Sequence, residues 1–203
     1  MKIRNCVFCY PDSQLIVHDR ENFFVIADPY PLVKGHIMIV SKKHYGCTAE
    51  LSSRDMDEFL SLKSIIKSAY KRENIAWTGY EHGRAGSCFS NHCDAECHHM
   101  HFHFLPRELR INNTVQESLS GMPMSEWTKL GEWGHAYGNY LLVEDRHDGA
   151  FFYPTQRHTV PSHYIRSTAA QALGAEERSN WESYNPQYDV NTLGVERIAD
   201  YLF

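Results

Sequence analysis

The chain has 203 residues, a mass of 23.6 kDa and a net charge of −5 at pH 7. That length suits one domain with an appended segment, at about 150 residues per domain, and hydrophobic and charged fractions of 42% and 22% exclude wholesale disorder. The acidic balance leaves no global basic footprint, so nucleic acid is not the expected partner; no apolar run reaches the ~18 residues of a membrane span, and Met1–Cys6 has no apolar leader core, so a cytoplasmic setting is expected.

Taken in chain order, Phe23–Asp28 reads as a strand bounded by turn residues, with Pro29, Pro31 and Gly35 marking the loop after it. His36–Ser41 is the next strand. A helix follows over Ser53–Tyr70, where Met56, Phe59, Leu60, Ile65, Ile66 and Ala69 form a stripe at helical spacing, and Ser52 with Asp55 resembles a capping box. Ile75–Glu81 is a third strand candidate. A long loop containing glycine and cysteine leads to a fourth, His99–Leu105, ended by Pro106. Ile111–Trp127 reads as a linking or mobile stretch. Tyr140–Asp145 and Ala150–Tyr153 flank a turn at His147–Gly149 and form a hairpin. Ser162–Leu173 has a helical pattern with Gly174 as its C-cap, and Val190–Leu202 reads as a terminal helix.

Two residue types stand out. Histidines number 13 against 12 glycines, and five lie between His92 and His103, a density that points to a site. The six cysteines are Cys6, Cys9, Cys47, Cys88, Cys93 and Cys97. In a chain of this length without a leader they fit metal ligation or burial better than disulfides.

The segment His99-Met100-His101-Phe102-His103-Phe104-Leu105 alternates strictly. On a strand this puts three imidazoles on one face, ~7 Å apart at ~3.4 Å rise per residue, and Met100, Phe102 and Phe104 on the other. The apolar face can pack on the helix. The imidazole face can bind metal, or one ring can act as a nucleophile while its neighbours orient it and handle charge, because imidazole is uncharged often enough near neutral pH to attack. The alternative for any one of them is a plain solvent-facing histidine.

These residues resemble the histidine triad (HIT) signature of nucleotide hydrolases and transferases. The likeness extends upstream. Asp28-Pro29-Tyr30-Pro31-Leu32-Val33-Lys34-Gly35-His36 and the strand to His44 are similar to the family's ribose-binding loop and following strand, Tyr80-Glu81-His82-Gly83 to a variant near the phosphate site, and Cys6-Val7-Phe8-Cys9 to the CxxC of zinc-bearing members. The motifs occur in family order over residues 6–106. Residues from Pro161 to Trp181 are similar to an extension in longer bacterial members carrying the Glu-His-Gly variant.

The resemblance implies an α+β fold: a HIT-like antiparallel sheet with one long and one short helix in residues 1–110. A C-terminal α/β extension, a hairpin plus helices, would occupy 111–203 and pack on it. It implies His101 as nucleophile, His103 as the charge-handling neighbour and His36 as the orienting histidine. It also implies substrate contacts from Asp28, to the ribose hydroxyls, and from Glu81 and Ser87 near the phosphate. Cys6, Cys9, His44 and His99 match the zinc set. Four protein ligands leave no open position, so the zinc would be structural. A redox CxxC is the rival reading, but such a motif opens a helix and Pro11 follows closely here.

Two features depart from the family pattern. The loop from Gly83 to Cys97 is long, and Glu96 and Cys97 stand where many members have Ser or Thr. Cys88, His92, Cys93, Cys97 and His98 could form a second metal cluster or be ordinary loop residues. His82 has no assigned role. Arg157, His158 and Arg166 could reach an anionic substrate, with surface salt bridges the default.

The expected activity is hydrolysis at the α-phosphate of a nucleotide conjugate, a dinucleoside polyphosphate or nucleoside phosphoramidate, through a nucleotidyl-histidine intermediate. The partner is then a small nucleotide substrate, in a possible homodimer. Three alternatives remain: a nucleotidyltransferase using the same intermediate, a nucleotide-binding module without turnover, and a metal-dependent enzyme centred on the histidine face.

Overall fold

A computed structural model describes residues 2–3, 6–85, 98–155, 160–181 and 200–201. Within these, eight strands form one antiparallel sheet: β1 (Ile16–Asp19), β2 (Phe23–Ala27), β3 (Ile37–Ser41), β4 (Thr78–Glu81), β5 (His101–Leu105), β6 (Met122–Met124), β7 (Tyr140–Asp145) and β8 (Gly149–Pro154). The spatial order is β1-β2-β3-β5-β4-β7-β8-β6. The described α-helices are α1 (Ser53–Arg72), α2 (Ile111–Ser118), α3 (Leu130–Tyr137) and α4 (Tyr164–Ala172). This is the expected α+β architecture with one long helix. No described helix is long and apolar enough to cross a membrane.

Strand alternation sorts the core into two layers. Phe102 and Phe104 of β5 face Phe59, Leu62 and Ile66 of α1. Leu105 of β5 and Tyr80 of β4 face the other way, into a cluster with Ile111 and Val115 of α2 and Ile165 and Ala169 of α4. Each buried Phe or Ile side chain contributes roughly 1.5–3 kcal/mol, so both layers hold the sheet firmly. The α1 terminus forms as its sequence predicts, with Ser52 Oγ accepting from the Asp55 N–H at 3.2 Å. Gly174 closes α4 at φ +64°, a conformation that favours glycine.

The sheet runs without a break across residue 110. β4 pairs with β5 on one side and with β7 on the other, Thr78 opposite Asp145 through Glu81 opposite Leu142. The C-terminal hairpin is therefore an extension of the sheet itself.

Three sequence expectations change. Ile111–Trp127 is not a linker: it holds α2 and β6, with Ile111 and Val115 buried and Asn112 donating to Asp145 while accepting from Tyr153. Its polar composition hides a one-sided apolar stripe only three side chains long. β1 was not anticipated, because Ile16-Val17-His18-Asp19 is short and shows no clean alternation. The strands over Ile75–Glu81 and His99–Leu105 begin only at Thr78 and His101, so His99 precedes β5. The terminal helix over Val190–Leu202 lies outside the described residues except for Asp200 and Tyr201.

Candidate active site

His101 and His103 project from one face of β5, beside Tyr80 of β4, whose ring stacks on His103 at 4.3 Å between centroids. The His101 Nδ1 lies 2.6 Å from the His99 carbonyl oxygen. A carbonyl only accepts, so Nδ1 carries the proton and Nε2 keeps its lone pair. Burial pushes the His101 imidazole below its ordinary range, which keeps it neutral at pH 7. One ring face of His101 is covered by Phe8, at 4.6 Å and 23°.

His103 is held from behind. The Leu32 N–H donates to His36 Nδ1 at 3.2 Å, so the His36 proton sits on Nε2. That nitrogen lies 2.9 Å from His103 Nδ1 and donates to it. His103 must then carry its own proton on Nε2. Burial pushes His36 down to about 4 and His103 well below the usual range, so both rings stay neutral and the direction of the relay is fixed. Gly35, at φ +84°, makes the turn that brings His36 back under the loop.

Asp28 lies beside this relay rather than in open solvent. It is 4% exposed; its Oδ1 accepts from the Tyr30 N–H at 2.7 Å, and its Oδ2 lies 3.3 Å from His36 Nδ1 and 3.7 Å from Arg166 Nη1. Arg166 comes from α4 and is 5% exposed. It also donates to the Tyr30 carbonyl at 2.6 Å and to the Arg178 carbonyl at 3.1 Å. The surface salt bridge taken as its default is thus corrected to a buried contact. Sequence spacing could not reveal this, since the partners are 138 positions apart (166 − 28).

Glu81 does not face the histidines. Tyr80 does, so its neighbour on the strand points to the α1 side. There Glu81 accepts from the Thr48 N–H at 2.7 Å and the Tyr140 hydroxyl at 2.9 Å, and burial pushes its carboxyl up to about 7. The direct substrate contact expected of Glu81 is therefore replaced by a structural one. His82, one residue on, returns to the histidine side and accepts from the Ile165 N–H at the start of α4 at 3.0 Å. Burial pushes it down to about 3. Ser87 lies outside the described residues, as do Cys88, His92, Cys93, Cys97, Arg157 and His158.

The expected metal set converges. Cys6, Cys9, His44 and His99 bring four ligand atoms within 4.8 Å of one another. Cys6 Sγ is 3.3 Å and Cys9 Sγ 3.6 Å from His99 Nδ1, Cys9 Sγ is 3.4 Å from His44 Nδ1, and the two Nδ1 atoms are 3.1 Å apart. A tetrahedral zinc with ordinary bond lengths has S–N edges of ~3.6 Å and N–N edges of ~3.3 Å, so the set fits that ion. His99 Nε2 donates to the Ser41 carbonyl at 2.7 Å, which leaves Nδ1 unprotonated as a ligand must be. The first triad histidine thus turns to the CxxC loop, and the second and third to the open face.

Residues 1–111 match the family described as "Protein similar to CwfJ C-terminal". The chain is 27% identical over 110 residues to an uncharacterised HIT-like protein of Methanocaldococcus jannaschii, covering 50% of this chain and 78% of that one. It is 36% identical over 70 residues to the CWF19-like protein 1 homolog of Drosophila melanogaster, covering 32% of this chain but only 13% of that protein. Among solved structures, yeast Ap4A phosphorylase Apa2, determined in complex with Ap4A, shares the fold at a TM-score of 0.50 and 8% identity, over 86% of this chain and 80% of that one.

Proposed function

The chain belongs to the histidine triad proteins, in the family similar to the CwfJ C-terminal region, and from that membership and the geometry of β5 we propose that it is a nucleotidyl hydrolase acting at the α-phosphate of nucleotide conjugates. The carrying observation is the 2.6 Å contact of His101 Nδ1 with the His99 carbonyl, which holds Nε2 as a neutral nucleophile. Dinucleoside polyphosphates and nucleoside phosphoramidates are the substrate classes that this chemistry accepts.

The His101 Nε2 lone pair attacks the α-phosphorus. The bond from phosphorus to the bridging oxygen or nitrogen breaks, and its electron pair leaves with the departing group. His103, whose Nε2 carries a proton, hydrogen-bonds the charge that develops on phosphoryl oxygens or on the leaving atom. Water then attacks the phosphoramidate and gives up a proton to solvent, the N–P bond breaks, and the imidazole recovers its lone pair as the nucleoside monophosphate departs. His36 acts through His103 by fixing its tautomer and tilt, while Asp28, held by Arg166, sets the charge beside both rings. Cys6, Cys9, His44 and His99 would hold zinc, whose contribution is to brace the lead-in to β5 and the CxxC loop.

Incubation with a dinucleoside polyphosphate labelled at the α-phosphate tests this directly. A covalent label that is acid-labile and stable to base is expected, lost together with turnover in His101→Ala. Turnover that survives in His101→Ala would refute the assignment. Release of the label by inorganic phosphate but not by water would reassign the enzyme to phosphorolysis.

A further inference from the structure

A cleft of about 610 Å³ opens on the face of the sheet opposite the histidines, and the reading above does not use it. One wall is α1, where Lys63, Lys67 and Lys71 recur every four residues on a single side. The facing wall is the end of β7 and the turn after it, with Glu144 and Arg146. Trp77 and Trp127 also line the cleft. The volume is in the range of small-molecule sites.

The charges in this cleft do not balance. Glu144 is buried and gives one oxygen to Lys63 Nζ at 2.6 Å and the other to Lys67 Nζ at 2.9 Å. One carboxylate thus serves two ammonium groups. Lys63 is 3% exposed, and its ammonium also sits over the Trp127 ring at 2.9 Å from the centroid. Asp145, the other acid, is already engaged: its Oδ1 accepts from the His147 and Asp148 N–H groups and its Oδ2 from Asn112. Lys71 and Arg146 add two further cations to the walls. Burial pushes the Lys63 amine down to about 7 in spite of the attraction of Glu144, so Lys63 carries its charge only part of the time at pH 7.

An excess of positive charge held in a concave site between indole rings is matched by a ligand that brings an anion and a flat ring together. We propose that this cleft is a second binding site, for a small phosphate-bearing aromatic compound of the nucleoside monophosphate type, with the phosphate on Lys67, Lys71 and Arg146 and the ring against Trp127. It goes beyond the hydrolase reading and does not depend on it. Glu144 is the element that sets it: the carboxylate holds Lys63 and Lys67 in place and is offset by them, so Lys71 and Arg146 leave the walls positive.

The test is equilibrium binding of adenosine 5′-monophosphate, followed by tryptophan fluorescence on the full chain. Trp127 and Trp77 report this cleft, whereas Trp181 lies beside Tyr30 near the histidines and reports that side. Lys71→Glu with Arg146→Glu reverses two cations that hold no core contact, and is expected to weaken binding at least about tenfold. Trp127→Phe is expected to diminish the fluorescence change, leaving the share that Trp77 reports, with folding checked by circular dichroism. Inorganic phosphate is expected to compete in the wild type and adenosine only weakly. A fluorescence response unchanged in Trp127→Phe, or an affinity unchanged in Lys71→Glu/Arg146→Glu, would overturn the site. Because neither variant touches the histidine face, loss of labelling at His101 in the earlier experiment would leave this result standing.

Discussion

At the residue scale, Arg166 carries an unusual share of the site. It is the one cation within salt-bridge distance of Asp28 among the described residues apart from the two imidazoles, and it comes from the C-terminal half. Removing a buried partner leaves an uncompensated charge and costs about 3–5 kcal/mol. Arg166→Met is therefore expected to lose roughly that much stability in urea unfolding. The guanidinium also disfavours a proton on His36, whereas Asp28 favours one. Without Arg166 the His36 pKa rises, so the acidic limb of the pH–rate profile shifts to higher pH. A profile that stays in place while stability falls would reduce Arg166 to a packing role.

At the element scale, the CxxC loop does two things at once. Its cysteines turn toward His44 and His99, and Phe8 between them covers His101. Stripping metal with a chelator is expected to lower the thermal midpoint by roughly 10 °C, from about 3 kcal/mol of metal-linked stability at this chain length. Activity should fall with it, since Phe8 leaves the nucleophile's ring when the loop opens; Cys9→Ser should do the same without chelator. An unchanged midpoint, with no zinc found by elemental analysis of protein purified without chelator, would remove the metal from the account.

Much of this was legible in the sequence for a simple reason. Strand alternation alone separates His101 and His103 from Phe102 and Phe104, and the capping residue Ser52 marks the start of α1. The alternation of β4 was equally available: it puts Tyr80 with the histidines and Glu81 against α1, but the motif likeness drew Glu81 into the site. What could not be read is long-range. Arg166 on Asp28, Ile165 on His82 and Phe8 on His101 are contacts between distant segments, which no local pattern records. The short stripe of α2 was lost among Asn112, Asn113, Gln116 and Ser118, where tertiary burial rather than local propensity decides.

At the scale of the whole molecule, buried neutral histidines make stability depend on pH. His36 and His82 are pushed down to about 4 and about 3, from a value near 6.5 in the unfolded chain. Between those limits the unfolded state binds more protons than the folded one, so stability rises with pH across that interval and is complete above about 6.5. Acidification from pH 7 to 5 is therefore expected to cost at least ~1 kcal/mol in urea unfolding. Glu81, pushed up to about 7, opposes this over the same interval, so the test is made in Glu81→Gln, where equal stability at the two pH values would show that these rings are not held neutral.

The place of β4 has one more consequence. Because β7 takes its outer side, the sheet presents only two free borders among the described residues, β1 and β6. β6 is three residues long with Pro123 at its centre, and β1 is four residues long with an irregular register against β2. Short strands, a proline and a broken register are poor templates for adding another chain. Among the described residues, the histidine-bearing centre therefore offers no strand edge through which two copies could fuse their sheets. The same blunt borders guard a strongly apolar sheet against edge-to-edge aggregation.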